Sequence, residues 1–147
     1  MIVLDTNVLS ELLRPMPEPR VTAWVAAQPA ASVFTTTVTR AELLYGIALL
    51  APGRRRDALR AATRSILDEE LSGRIIPFDN DAADAYVEVS ARRRMIGRPI
   101  SRLDAMIAAM ARSKGAIVAT RNTRDFVDCG IAIVNPWEQP PGDTGDR

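Results

Sequence analysis

The 147-residue chain contains no histidine and only one cysteine, Cys129. The missing imidazole excludes Ser-His-Asp and Cys-His nucleophilic catalysis, histidine-based metal-free RNA cleavage and histidine-ligated zinc. A single cysteine forms neither an internal disulfide nor a thiolate zinc cluster. Any catalysis must therefore use carboxylates, hydroxyls, arginine or a metal ion bound by oxygen.

Long apolar runs, lysine and an excess of charge are missing as well. No stretch is long enough to span a bilayer, and no basic leader precedes an apolar segment at the start. The net charge is only +1, so no global field favours nucleic acid or a membrane surface. Lys114 is the only lysine, a bias toward arginine that genomic base composition explains most simply. We expect a cytoplasmic protein with no membrane partner.

The spacing of apolar residues predicts strands that alternate with helices along the chain. This pattern is typical of an α/β fold with a mainly parallel central sheet and helices on both faces. We expect one domain over residues 1–138 and a disordered tail over residues 139–147, where Pro, Gly and Asp replace apolar periodicity. The predicted strands cover residues 2–4, 31–36, 74–78, 116–119 and 131–134, and the predicted helices cover residues 8–13, 20–28, 38–50, 54–71, 80–96, 102–114 and 123–128.

Asp5 ends the first predicted strand, directly after the buried run Ile2-Val3-Leu4. Open α/β sheets bind their ligands at the carboxyl ends of the strands, where Asp5 would lie. Thr6 and Asn7 follow it and look like the start of a helix. Because these two residues could cap that helix, we expect Asp5 itself to be a poor cap and to anchor a metal-binding cluster.

Three further acids fall near the ends of strands or the starts of helices. Glu42 lies in the helix after the second strand, Asp125 follows the fourth strand, and Asp104 opens the helix before that strand. Carboxylates that converge repel one another unless a cation neutralises them. Since Mg²⁺ and Mn²⁺ prefer oxygen ligands, the sequence predicts a site for one of these ions.

Helix capping offers a simpler role for each of these three acids taken alone. Each follows a possible N-cap residue by three positions, which is the spacing of a capping box. Acids near helix N-termini are also favoured by the macrodipole. The three pairs are Thr39 with Glu42, Ser101 with Asp104, and Asn122 with Asp125.

Two other functions remain open at this stage. Asp5 could accept a phosphoryl group, as in phosphatases with an Asp-x-Asp-x-Thr motif, although Asn7 replaces the second acid and no lysine lies near a later strand end. Alternatively, the protein could be a non-catalytic RNA- or protein-binding module. In that case its arginine clusters at residues 54–56 and 92–94 would follow a phosphate backbone or a partner. The tryptophans are expected in the core or at its rim rather than as base-stacking platforms.

The order and spacing of these segments resemble the PIN domain, and within it the VapC- and FitB-like toxins of bacterial toxin–antitoxin pairs. The likeness extends from Met1 to about Glu138. It is carried by Ile2-Val3-Leu4-Asp5-Thr6-Asn7-Val8-Leu9, Thr39-Arg40-Ala41-Glu42-Leu43 with Gly46, Leu103-Asp104-Ala105-Met106-Ile107-Ala108, Val118-Ala119-Thr120-Arg121-Asn122-Thr123-Arg124-Asp125-Phe126 and Val134-Asn135-Pro136-Trp137.

This resemblance implies a Mg²⁺- or Mn²⁺-dependent endoribonuclease with a five-stranded parallel sheet, usually a homodimer. It also implies products with a 5′-phosphate and a 3′-hydroxyl, and neutralisation by an antitoxin encoded alongside. Because the acids carry net negative charge without metal, we expect an antitoxin arginine, within a basic segment, to enter the site. Asp5, Glu42 and Asp104 match the first three acids of the family.

The remaining site residues follow from the same resemblance. Thr6 and Thr120 match hydroxyl positions that support the first acid. The fourth family acid often follows a Thr-Arg pair directly, where this chain has Asn122, so Asp125 is taken as its substitute for catalysis and metal binding. Arg121 and Arg102 are candidate contacts to the RNA substrate.

Overall fold

In the computed structural model, which describes residues 1–139, five parallel strands form one sheet. They are β1 (Ile2–Leu4), β2 (Val33–Thr36), β3 (Ile75–Ile76), β4 (Ile117–Ala119) and β5 (Ile133–Val134). Their order across the sheet is β3-β2-β1-β4-β5, so the chain moves from β1 to one edge and then returns to the other side. The crevice at the carboxyl ends of β1 and β4 is therefore the topological switch point, where such sheets bind ligands.

Six α-helices lie within the described part of the chain, together with shorter helical turns. Segments 30–32 and 123–125 are 3₁₀ turns, and segment Ser65–Glu70 is a π-helix that follows the fourth α-helix directly. None of the helices among residues 1–139 has the length and apolar character needed to cross a membrane. The α-helices are α1 (Thr6–Leu12), α2 (Pro19–Ala27), α3 (Thr37–Ala48), α4 (Arg54–Arg64), α5 (Asn80–Met95) and α6 (Arg102–Ser113).

The apolar core is divided by the sheet, because successive strand residues point to opposite faces. Val3 packs into a cluster with residues of α5 and α6, including Val89 and Ile107. Leu4 packs on the other side with residues of α1 and α2, such as Leu9 and Val21. This arrangement confirms the predicted α/β fold with a parallel sheet and helices on both faces.

Several predicted boundaries are wrong, and local backbone chemistry explains them. The first helix begins at Thr6 instead of residue 8, because Asp5 is its N-cap. The second strand begins at Val33, after the 3₁₀ turn that follows Pro29. The helix predicted over 123–128 is only a 3₁₀ turn, and left-handed residues at Asp128 and Gly130 prevent its continuation.

The C-terminal end of α6 follows the sequence-based expectation. Gly115 has a φ of 63°, the left-handed conformation that glycine adopts after a helix without a Cβ clash. This residue turns the chain into β4 at the amino end of the sheet. Residues 140–147 of the predicted disordered tail lie outside the described residues.

Candidate active site

Asp5 lies at the carboxyl end of β1 with only 4% of its surface exposed. Its Oδ1 accepts a 2.8 Å hydrogen bond from the backbone N–H of Thr6, so it caps α1. Its Oδ2 accepts hydrogen bonds from the Thr120 hydroxyl at 2.8 Å and from Asn7 Nδ2 at 3.2 Å. The expectation that Asp5 would be a poor cap is therefore wrong. The same contacts fix its orientation across the switch point between β1 and β4.

Burial raises the pKa of the Asp5 carboxyl from 3.8 to about 6. Desolvation is the largest cause, because a buried carboxylate loses the water that stabilises its charge. The hydrogen bonds from Thr120 and Thr6 lower the pKa, whereas the negative charges of Asp104 and Glu42 raise it further. The ionised form of Asp5 is thus unfavourable unless a positive charge lies nearby.

Glu42 reaches the same place from α3 through a chain of hydroxyl groups. Its Oε1 accepts a 2.8 Å hydrogen bond from the Thr6 hydroxyl, which lies 3.0 Å from the hydroxyl of Thr39. The capping role predicted for Glu42 is wrong, because Thr36 is the N-cap of α3 and accepts from the Thr39 N–H at 3.1 Å. The Glu42 carboxylate is therefore held by Thr6 and turned toward Asp5.

Asp104 enters from the first turn of α6 and is half-buried. The capping alternative holds for its backbone, since the Asp104 N–H donates to the Ser101 hydroxyl at 3.3 Å. Its carboxyl pKa is nevertheless raised, first by burial and then by the charge of Asp125. A carboxylate that only complemented the helix dipole would have its pKa lowered, whereas burial and, to a smaller extent, the charge of Asp125 raise the pKa of Asp104.

These three carboxylates line one cavity of about 450 Å³ at the switch point. Within residues 1–139, no group of three acidic side chains is arranged so that all of them directly hold one metal ion. The acids share a cavity, and the charges of Asp104 and Glu42 raise the pKa of Asp5, which is the electrostatic environment that a divalent cation would relieve. The lining residues are Asp5, Thr6, Asn7, Ser10, Glu11, Arg14, Glu42, Asp104, Arg121, Asn122 and Trp137.

Asp125 does not line this cavity, although its charge acts on Asp104. It is exposed and borders a neighbouring hollow of about 300 Å³, together with residues 121–124. Arg121 and Asn122 border both spaces and so connect them. Arg102, the other predicted substrate contact, borders neither.

Arg93 of α5 holds the segment that carries Asp125. It is 5% exposed, and its Nη1 donates 2.9 Å hydrogen bonds to the carbonyls of Asp125 and Val127. Its Nε donates to the Arg98 carbonyl at 2.6 Å, on the connection that leads to α6. The guanidinium of Arg93 therefore connects the segment that precedes Asp104 with the segment that contains Asp125.

Sequence reasoning did not assign a site role to several residues that line the acidic cavity. Asn7 is the most connected, because its Oδ1 also accepts the Arg121 N–H at 3.2 Å. Its position two residues after Asp5 could have identified it. Glu11 and Arg14 pair at 3.2 Å, and Glu11 also accepts the Glu18 N–H at 3.1 Å. The i,i+3 spacing of Glu11 and Arg14 could have indicated their pairing, but it does not indicate that they line the cavity.

The structure argues against Asp5 as a phosphoryl acceptor. Asn7 occupies the position of the second acid and donates to Asp5. Lys114 is the C-cap of α6 and precedes β4, so it lies at the amino end of the sheet, opposite the acids. No lysine ammonium is therefore available to neutralise an aspartyl phosphate at this site.

Comparison with known proteins finds relatives along nearly the whole chain. Residues 2–130 match the PIN domain family. The chain is 41% identical over 138 residues to the VapC ribonuclease Y4jK of Sinorhizobium fredii, covering 94% of this chain and 99% of that protein. It is 39% identical over 137 residues to the toxin FitB of Neisseria gonorrhoeae, covering 93% and 99% respectively. A solved structure of FitAB bound to an IR36 DNA fragment matches with a TM-score of 0.90 at 37% identity, over 95% of this chain and 98% of that chain.

Proposed function

The chain belongs to the PIN-domain family and, within it, to the group of VapC ribonucleases and FitB toxins, and from that membership we propose that it is a Mg²⁺- or Mn²⁺-dependent endoribonuclease, the toxin of a toxin–antitoxin pair. The observation that carries this proposal is the cavity at the switch point, where Asp5, Glu42 and Asp104 converge. We propose that it acts in the cytoplasm, where its RNA substrate would be found.

The donor set fits a hard divalent cation. Asp5 and Asp104 would hold the ion, and Glu42 and Asp125 would orient its waters or a second ion. The raised pKa of Asp5 supports this assignment, because a bound cation would remove the penalty for ionisation. When bound, the ion would lower the pKa of a water molecule and offset charge on the attacked phosphate.

The residues around the acids would keep them in position for the reaction. Thr120 and Asn7 hold Asp5 Oδ2, and Thr6 holds Glu42. Asp5 and Thr120 directly follow the paired strands β1 and β4, so the sheet sets their relative position. Fixed polar groups of this kind need little reorganisation when charge develops on the substrate.

An antitoxin would bind the same cavity through a basic segment. The three acids give the metal-free cavity negative charge, and an arginine can bind a carboxylate through two parallel hydrogen bonds. If replacement of every arginine in that segment left inhibition unchanged, this part of the proposal would be wrong. The exposed Tyr45 in the last turn of α3 and Leu49 at its C-cap support a homodimer because they offer an apolar contact surface.

The decisive experiment compares Asp5→Asn with the wild type in RNA cleavage. We expect cleavage in Mg²⁺ to fall by at least about a hundredfold, because the carboxylate is needed to hold the ion. Asp84→Asn on the exposed side of α5 is the matched control and should cleave normally. Mapped RNA ends should carry a 5′-phosphate and a 3′-hydroxyl. Wild-type cleavage by Asp5→Asn, or full activity in excess EDTA, would reject the proposal.

A further inference from the structure

We propose that Trp137 and Arg121 form a nucleotide subsite beside the three acids, in which the indole stacks on an unpaired RNA base and the guanidinium binds its phosphate. This inference rests on the proposed ribonuclease function and specifies the form of its substrate. Both tryptophans pack at the rim of an apolar cluster, as the sequence predicts, and the proposal gives Trp137 a base-binding role in addition.

Trp137 forms part of the wall of the acidic cavity, although it lies far from the acids in sequence. It is half-buried and packs on the apolar cluster around Leu4 and Leu9. Its backbone N–H donates to Asn135 Oδ1 at 2.9 Å, and its backbone carbonyl accepts from Arg20 Nη1 at 3.4 Å. These bonds hold the backbone, and the apolar packing supports the side chain where it borders the cavity that contains Asp5.

Arg121 supplies the positive charge that an acidic cavity needs to bind a polyanion. Its guanidinium carbon lies 5.1 Å from the centroid of the Trp137 ring, within the range of a cation–π contact. Among residues 1–139 it forms no ion pair with an acidic side chain. Because its donors are not used by a carboxylate, they remain available for phosphate oxygens.

The combination of a ring and an unpaired arginine fits one nucleotide of a single strand. Aromatic faces bind bases only when those bases are unstacked, as in loops and single-stranded RNA. Arg121 also borders the neighbouring hollow with Asn122 and Arg124, so a strand could continue past the acids. A duplex would keep its bases paired and stacked, away from Trp137. The basic antitoxin segment would pair with the three acids, whereas the positive charge of Arg121 favours RNA on the Trp137 side of the cavity.

The chain offers a direct spectroscopic test, because Trp24 and Trp137 are its only tryptophans. In Trp24→Phe protein, Trp137 is the sole indole, and its fluorescence reports on the subsite without any need for catalysis. We expect a short single-stranded oligoadenylate, added in EDTA, to quench this signal saturably. Duplex RNA and an abasic oligomer should quench it much less. Arg121→Met should weaken the oligoadenylate binding roughly tenfold, since a phosphate contact is lost.

Kinetics provide the second measurement. Stacking of one base on an aromatic side chain changes affinity by roughly 5- to 100-fold, so Trp137→Leu should raise KM by that factor and change kcat little. Trp24→Leu is the matched control, because Trp24 packs on the same apolar cluster but does not line the cavity. An abasic substrate should lose affinity with the wild type but not with Trp137→Leu.

The outcomes separate the subsite from the proposed function. Absence of quenching, equal quenching by the abasic oligomer, or equal KM changes for the two tryptophan variants would overturn the subsite. Quenching by a basic peptide but not by RNA would assign the surface to a protein partner and also overturn it. If Asp5→Asn cleaved RNA normally while Trp137 was still quenched by single-stranded RNA, the proposed mechanism would fail and the subsite would stand. The fluorescence measurement on Trp24→Phe protein tests the subsite even if Trp137→Leu does not fold.

Discussion

Asp5→Asn should make the metal-free protein more stable at neutral pH, and the size of the gain should depend on pH. The pKa of Asp5 is raised from 3.8 to about 6 on folding, so between these pH values the folded state binds more protons than the unfolded state. Stability then falls as pH rises, because the slope follows the difference in bound protons. Asparagine is as good an N-cap as aspartate, so the substitution removes the charge and keeps the cap of α1.

The expected magnitude follows from the pKa values. Each tenfold change in a dissociation constant corresponds to about 1.4 kcal/mol. A pKa raised from 3.8 to about 6 therefore corresponds to a penalty of about 3 kcal/mol once Asp5 is fully ionised. Part of it already applies at pH 4, so we expect the stability difference between variant and wild type to grow by about 2–3 kcal/mol from pH 4 to pH 8.

The assay is urea unfolding in EDTA across this pH range, for the wild type, Asp5→Asn and the control Asp84→Asn. The stability difference between the two proteins cancels the titration of the other groups. The change of that difference with pH also cancels the constant cost of the altered hydrogen bonds from Thr120 and Asn7. Mn²⁺ should stabilise the wild type more than Asp5→Asn, since the ion offsets the buried charge. A pH-independent difference, or a variant that becomes less stable as pH rises, would refute the burial argument.

Three further substitutions test the surroundings of the acids. Thr120→Val removes the hydroxyl donor to ionised Asp5, so urea unfolding should show a loss that is larger at pH 8 than at pH 4 by about 1.5–3 kcal/mol. The loss at pH 4 reflects the acceptor that Asn7 and Asn122 no longer have. Arg93→Lys cannot reproduce the guanidinium contacts to three carbonyls. We therefore expect a roughly tenfold lower kcat and faster hydrogen exchange in residues 122–128. The control Arg94→Met, at an exposed position of α5, should change neither kcat nor hydrogen exchange. Asn122→Asp adds a carboxylate at the cavity rim, and isothermal titration calorimetry should show Mn²⁺ binding tightened by roughly three- to tenfold.

The fold was predictable because its strong signals are local. Apolar runs flanked by turn residues mark β1 and β4, and amphipathic spacing marks α6 within a residue or two of its bounds. Predicted helix starts were wrong where a single side chain determines them. At the start of α3 the N-cap is Thr36, whereas the spacing of Thr39 and Glu42 predicts Thr39. The π-helical end after α4 was also missed, since nothing in local periodicity distinguishes it from α-helix.

The site was predictable from the sequence only where the parallel strands determine which residues are neighbours. Asp5 and Thr120 end adjacent parallel strands, so their proximity follows once the strands are known. The link from Thr6 to Glu42 and the approach of Trp137 depend on how α3 and the chain after β5 pack, and no residue spacing encodes that packing. The family resemblance identified Thr6 and Glu42 as site residues, but it assigned the Thr6 hydroxyl to the first acid, whereas that hydroxyl donates to Glu42.

Helix capping and metal binding looked like competing roles for the acids, but at Asp5 they depend on each other. The cap uses Oδ1 and sets the carboxylate plane, which leaves Oδ2 facing Thr120 and Asn7 at the cavity. Burial at the end of β1 makes the Asp5 anion unfavourable by about 3 kcal/mol, even though the capping bond from Thr6 lowers its pKa. The folded protein therefore retains an anion that a cation or an antitoxin arginine would stabilise. The capping bond orients the carboxylate for such a partner, and burial supplies the reason to bind positive charge.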